Sequence, residues 1–259
     1  MTNMVRIDRL RWVVTTLLLS LAPVWCAWAV PIQRLATVHV VAVCDDNGAN
    51  CAGTGPALDP YFGSATSKIW AQAGIGVSFV READLHESDF LFIDDGVAGR
   101  TFDDLSGGGS LDTITMWLVR TIVGAYGEAY LGAGGMVIAM DTVMGYNAPI
   151  GRLDTIAHEL GHNLGLDHDS ANARYLEAPG GIRLIPGSLA NICPDGACYD
   201  LLSDQQIALA LTSNLLTDVV EPASVGLFAG STALLGWFRS RRRPVPRKGY
   251  PGGTDRSES

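Results

Sequence analysis

The sequence predicts an α+β fold, one compact domain in two lobes, on three observations. Short β-branched and aliphatic runs gather in the first half of the chain, at 36–44, 75–80 and 111–123. A helical stripe of Ile156, Leu160 and Leu164 follows them. Beyond it the chain turns Gly- and Pro-rich from 178 to 187, then offers one last helical pattern in "LSDQQIALALTSN". Both ends differ in character from this body, which leaves roughly 190 residues to fold.

The amino-terminal stretch places Arg6, Arg9 and Arg11 before an apolar run from Trp12 to Trp25, then Ala27-Trp28-Ala29. That order predicts a secretory signal peptide over 1–29, removed by signal peptidase. An uncleaved anchor is the alternative, opposed by the shortness of the run and by Pro23. The body, 30–213, opens with "ATVHVVAVC", a buried strand. A helix from Pro60 to Ala73 and a Gly-bounded strand from Ile75 to Val80 come next, then a short strand in "DFLFIDD" and a loop in "SGGGS". "LDTITMWLVRTIV" and "GGMVIAMD" read as strands on either side of "GEAYLGAGG". A helix over Leu153–Leu164 carries Asp154 at its start as a cap, and the final helix covers 203–213.

Four cysteines lie in the body: Cys44, Cys51, Cys193 and Cys198. Three pairings exist for an exported chain, and the short spacings favour Cys44 with Cys51 and Cys193 with Cys198. The net charge of -9 conceals an asymmetry, because 30–221 holds 24 acidic against 8 basic residues. Such a body repels nucleic acid and anionic lipid, so neither is expected as a ligand, and a monomer is expected. The acidic loops "DDNGAN", "IDDG" and "TFDDL" raise Ca2+, but none shows a full ligand pattern.

The chemistry concentrates in "AHELGHNLGLDHD", 157–169, with three of the five histidines. His158 and His162 are one helical turn apart, so both imidazoles leave the same face and can share one Zn2+ at about 2.0–2.1 Å. Glu159 lies about 100° round the helix from His158, beside an ion rather than on it, where it can take a proton from water. Gly165 can adopt the positive φ that ends the helix and returns the chain, bringing His168 back as third ligand. Three neutral nitrogens leave the fourth tetrahedral place open, as in catalytic rather than structural zinc sites.

The string H-E-x-x-H-x-x-G-x-x-H resembles the zinc signature of the metzincin metallopeptidases, and the Asp after the third His is most similar to their adamalysin/reprolysin branch. The resemblance implies a twisted mixed sheet and active-site helix in an upper lobe, with a loop-rich lower lobe holding one carboxyl-terminal helix. It also implies a zinc endopeptidase acting on protein or peptide, with His158, His162 and His168 as ligands and Glu159 as general base. Gly165 and Asp169 would steady the turn behind the ligands. "GEAYLGAGG" is similar to the edge strand that pairs with substrate in that branch, which gives Ala129, Tyr130 and Leu131 a role in binding peptide. One departure stands out: the clan carries a methionine beneath the ligands, and this chain has none after Met144. "ARYLEAPGG" is expected to form that turn, with Leu176 or Glu177 at the methionine's place, and "RLIPG" is the other candidate. Tyr175 and Tyr199 are available for the tyrosine ligand some members add, without a reason to choose either.

After a linker at 214–221, "VVEPASVGLFAGSTALLGWFRSRRR" joins a Glu-Pro turn to an apolar run and a basic block over 222–243, and a basic, polar stretch fills 244–259. This resembles the PEP-CTERM sorting tail of exported Gram-negative proteins, which implies an exosortase-like processing partner and a body in the cell envelope, on the surface or released. Val220 departs from the motif, and a plain membrane anchor is the alternative. From a different functional class, a zinc-binding surface or matrix protein without turnover would keep the same scaffold.

Overall fold

The computed structural model describes residues 30–94 and 100–219. The expected signal peptide and sorting tail lie outside the described residues, and no described helix is long and apolar enough to cross a membrane.

A central strand organises the fold. β1 (Arg34–Cys44) pairs in parallel with β2 (Ile75–Arg81) on one side and β5 (Ile114–Val119) on the other. β8 (Met136–Ala139) adds in parallel to β5, and β7 (Gly127–Ala129) closes the edge antiparallel to β8, giving the order β2-β1-β5-β8-β7. Because strand side chains alternate between faces, one set of positions faces each side of the sheet. Ala36, Val38, Val40, Ile114, Met116, Leu118, Met136 and Ile138 enter the main core, whereas Val43, Val119, Val137 and Ala139 enter a smaller one with Phe90, Ile93 and Phe102. Both faces are therefore covered, which is why these strands read as continuous apolar runs.

The long helix expected from Pro60 is made of three parts: a 3-10 turn (Pro60–Phe62), α1 (Gly63–Trp70) and a second 3-10 turn (Ala71–Ala73). Trp70 is fully buried, and its Nε1 donates to Ala157 O at 3.2 Å, tying α1 to the histidine helix. Burying such a side chain contributes about 1.5–3 kcal/mol, and the paired indole N–H adds no desolvation cost. β3 (Leu85–His86) extends along β1, while β4 (Phe92–Ile93) pairs with β6 (Thr121–Ile122) in a separate ribbon.

Two short helices were not expected. α2 (Phe102–Ser106) grows from the "TFDDL" loop through a capping box, with Thr101 Oγ1 accepting from Asp104 N and Asp104 Oδ2 from Thr101 N. α3 (Met140–Gly145) continues directly from β8. The histidine helix, α4 (Thr155–Asn163), is shorter than expected, and Asp154 at its start makes no side-chain cap. α5 (Asp204–Ala210) is capped by Ser203 and Gln206.

The linker expected from 214 needs correction. β9 (Leu216–Asp218) returns antiparallel onto β1, pairing Ala36 with Leu216 and Arg34 with Asp218, and Arg34 Nη2 donates to Leu216 O at 2.8 Å. Cys44 is joined to Cys51 and Cys193 to Cys198.

Candidate metal centre and cleft

α4 sets His158 and His162 side by side, and each ring is fixed from behind. His158 Nδ1 lies 2.8 Å from Leu176 O, and His162 Nδ1 lies 2.7 Å from Leu166 O. A carbonyl can only accept, so both Nδ1 carry the proton and both Nε2 are left as lone-pair donors. The helix then stops where glycine permits. Gly165 has φ +93°, its N–H reaches His162 O at 2.9 Å, and Leu166 N–H reaches Gly161 O at 2.9 Å, the two bonds of a Schellman end. The returning chain carries His168 to the other two rings, with centroids 5.3 Å from His158 and 4.8 Å from His162.

His168 Nε2 and His158 Nε2 stand 3.4 Å apart. Two bonds of 2.0–2.1 Å at a tetrahedral angle span about 3.3 Å, so this separation is the edge of a zinc tetrahedron. The donor atoms of all three histidines lie within 4.8 Å of one another. The set fits one Zn2+ in donor type and in spacing. Among the described residues the other such group, Cys44, Cys51 and Asp84, has its sulfurs in a disulfide and cannot ligate. The acidic loops spend their carboxylates on the chain itself: Asp45 accepts from Asn47 N, Ala49 N and Asn50 Nδ2, and Asp104 caps α2. Nothing in the described residues supports Ca2+.

Glu159 faces the same space. It lines a cavity of about 390 Å³ together with the three histidines, Gly127, Glu128, Ala129, Tyr130 and Phe102. Burial, reinforced by the nearby Glu177, pushes the Glu159 carboxyl up to about 8. Burial likewise holds His158 down to about 3, aided by Arg183, and lowers His162, so both rings are neutral at neutral pH. Neutral imidazole is the form that binds metal.

Above Glu159 runs the edge strand β7. Tyr126 O accepts from Ala139 N and Tyr130 N donates to Gly135 O, so the even-numbered residues face β8. By the alternation of an antiparallel ladder, Gly127 and Ala129 turn their N–H and C=O away from β8, toward the free edge. The three residues expected to bind peptide are placed differently. Ala129 lines the cavity with its main chain turned to the edge; Tyr130 lines the cavity while its main chain is engaged; Leu131 lies beyond the strand, 58% exposed and outside the cavity lining. Gly127, not singled out in the sequence, shares the cavity lining and the outward-facing main chain of Ala129.

Asn163 was missed as well. Its Nδ2 donates to Gly135 O at 2.8 Å and to Tyr130 O at 3.1 Å, and Gly132 N donates to His162 O at 2.8 Å, so the end of α4 is tied to the loop that follows β7. The sequence carried no signal for it beyond an Asn following His162, since nothing in the histidine pattern requires an amide there.

Below the ligands, "ARYLEAPGG" supplies the floor and "RLIPG" contributes to it. Leu176 and Glu177 are both fully buried, with Glu177 Oε2 3.0 Å from His158 Nδ1 and 3.8 Å from His162 Nδ1. Arg183 Nη1 shares the Leu176 carbonyl at 2.8 Å and abuts His158 Nδ1, and its Nε lies 3.1 Å from Asp154 Oδ2. Asp154 also receives Arg152 Nε at 3.3 Å, so the residue expected to cap α4 instead anchors two buried guanidiniums. Burial pushes the Glu177 carboxyl up to about 8. Asp169 N donates to Glu177 O at 2.8 Å, and its side chain accepts from Ala171 N, which steadies the turn after His168. Tyr175 and Tyr199 do not line the cavity that holds the three histidines, and Tyr199 lies under Arg174.

No family model and no curated protein matches this chain. Among solved structures it is similar to an archaemetzincin from Methanopyrus kandleri, with 16% identity and a TM-score of 0.43 over 69% of this chain and 94% of that one. Mature mirolysin from Tannerella forsythia, solved with a cleaved peptide, shares 15% identity with a TM-score of 0.39, covering 68% of this chain and 89% of its own. Metalloproteinase-II from Bacteroides fragilis shares 16% identity with a TM-score of 0.37, covering 70% of this chain and 56% of its own. These likenesses are loose, and the chemistry of the site is carried by the chain's own residues.

Proposed function

We propose that this chain is a zinc-dependent metalloendopeptidase. The observation that carries the reading is the gathering of three histidine donor atoms within 4.8 Å of one another, with His158 Nε2 and His168 Nε2 3.4 Å apart, on a cavity that Glu159 and the edge strand also line. Zinc in such a donor set supplies Lewis acidity, making water nucleophilic near neutral pH and polarising a carbonyl. Glu159 orients that water, accepts its proton and returns it to the leaving amine. Gly127 and Ala129 pair their main chain with an extended peptide, which needs no free terminus and so favours internal cleavage.

Export belongs to the same proposal. Two disulfides fit an oxidising compartment, and the signal-like and PEP-CTERM-like ends, which lie outside the described residues, would deliver and sort the body there through signal peptidase and an exosortase-like enzyme.

The test compares wild type with Glu159→Gln for zinc content and for cleavage of casein and a peptide library. Zinc should stay near one per chain in both, and hydrolysis should vanish only in the variant. A folded, zinc-loaded wild type without hydrolysis would favour the zinc-binding surface or matrix protein instead.

A further inference from the structure

We propose that Glu177 is a positioning residue for the metal centre, holding the His158 ring with Nε2 toward the cavity from a polar floor braced by Arg183 and Asp154. This inference rests on the zinc reading above.

The floor is fully buried, yet it is built from charge. Glu177 and Asp154 are 0% exposed, and Arg183 is 8% exposed. A buried carboxylate costs several kcal/mol unless it is partnered, so a glutamate in this place calls for a compensating role. Its surroundings indicate one. A β-carbon on Gly161 would fall 2.0 Å from Glu177 Oε1, so the helix carries glycine where this carboxyl passes beneath it, between the two ligands of α4. Glu177 Oε2 then lies 3.0 Å from His158 Nδ1, beside the Leu176 carbonyl at 2.8 Å. The Nδ1 proton goes to Leu176 O, and Glu177 Oε2 flanks the same nitrogen from the adjacent residue of the turn, with Arg183 against it, so the ring is enclosed on its Nδ1 side. The same two residues reach every ligand-bearing segment: Leu176 O takes His158, Glu177 Oε2 approaches His162, and Glu177 O receives Asp169 N just after His168.

Arg183 and Asp154 make this floor one unit with the helix. Arg183 donates to Leu176 O and lies against Asp154, whose own carbonyl accepts His158 N at 2.9 Å. An apolar side chain would fill the volume of Glu177 but offer His158 no oxygen.

The test measures zinc dissociation constants by chelator competition for the full wild-type chain, Glu177→Gln and Glu177→Met, with melting of the metal-free proteins and visible spectra of the Co2+ forms. The Met variant should bind zinc about 10- to 100-fold more weakly, the usual cost of losing a partner behind a ligand, without melting lower, and its Co2+ bands should shift. Gln keeps an oxygen toward the ring, so it should recover most of the affinity. The proposal is overturned if Met binds zinc as tightly as wild type, or if Gln is as weak as Met. Failure of wild type to bind zinc at the triad would instead remove the metallopeptidase reading itself.

Discussion

A β-carbon on Gly127 would stand 2.8 Å from Cγ of Glu159 and 2.9 Å from its Oε1. The edge strand and the Glu159 side chain therefore fit together in this arrangement because residue 127 has no side chain. Gly127→Ala should push the Glu159 carboxyl out of line and lower kcat by about 100-fold, the scale expected for a displacement near 1 Å. Zinc content should not change. Steady-state kinetics with metal analysis checks this, and an alanine variant of undiminished kcat would show that the close approach has no part in turnover.

Asn163 should matter for binding more than for metal. Replacing it with Leu leaves Gly135 O and Tyr130 O without the amide that joins them to α4. Unfolding free energy should fall by about 1–3 kcal/mol, the cost of buried groups left unpaired. KM for an extended peptide should rise as β7 loses its register against the helix. Denaturant titration and initial rates measure the two effects separately.

Much of this site was legible because a three-residue and a four-residue rule act locally. His158 and His162 at one-turn spacing, and Gly165 at the helix stop, are dictated by helix geometry and by the φ that only glycine takes easily. The strands of the sheet were visible as apolar runs, and their alternation between two cores explains the pattern. What stayed hidden depends on partners distant in sequence. Asp154 looks like a cap until Arg183 arrives from 29 residues away to claim its carboxylate. β9 is three residues long, and only pairing with β1 distinguishes it from a linker. The "TFDD" capping box is readable in the sequence, but the same acids also suit calcium, and the fold spends them on a helix start.

Asp200 offers a pH test outside the metal site. It is fully buried, Cys193 N donates to its Oδ1 at 3.0 Å, and burial pushes its carboxyl up from 3.8 to about 6. Between those values the folded protein holds a proton that the unfolded chain has released, so this group's contribution to stability falls as pH rises from about 4 to 6 and is level above. Asp200→Asn keeps the acceptor oxygen but cannot titrate. Its stability relative to wild type should therefore increase with pH by roughly 2 kcal/mol across that window. Urea unfolding of both metal-free proteins between pH 4 and 7 reads the difference, and a gap independent of pH would contradict the assignment.

The most direct test of the metal centre is X-ray absorption at the zinc edge on the loaded, substrate-free protein. Three imidazole nitrogens from His158, His162 and His168 should appear at about 2.0–2.1 Å with one exchangeable oxygen in the fourth place. His168→Ala should lose one nitrogen from the shell. A sulfur scatterer, or a fourth place held by a protein carboxylate that solvent and substrate cannot displace, would contradict the account.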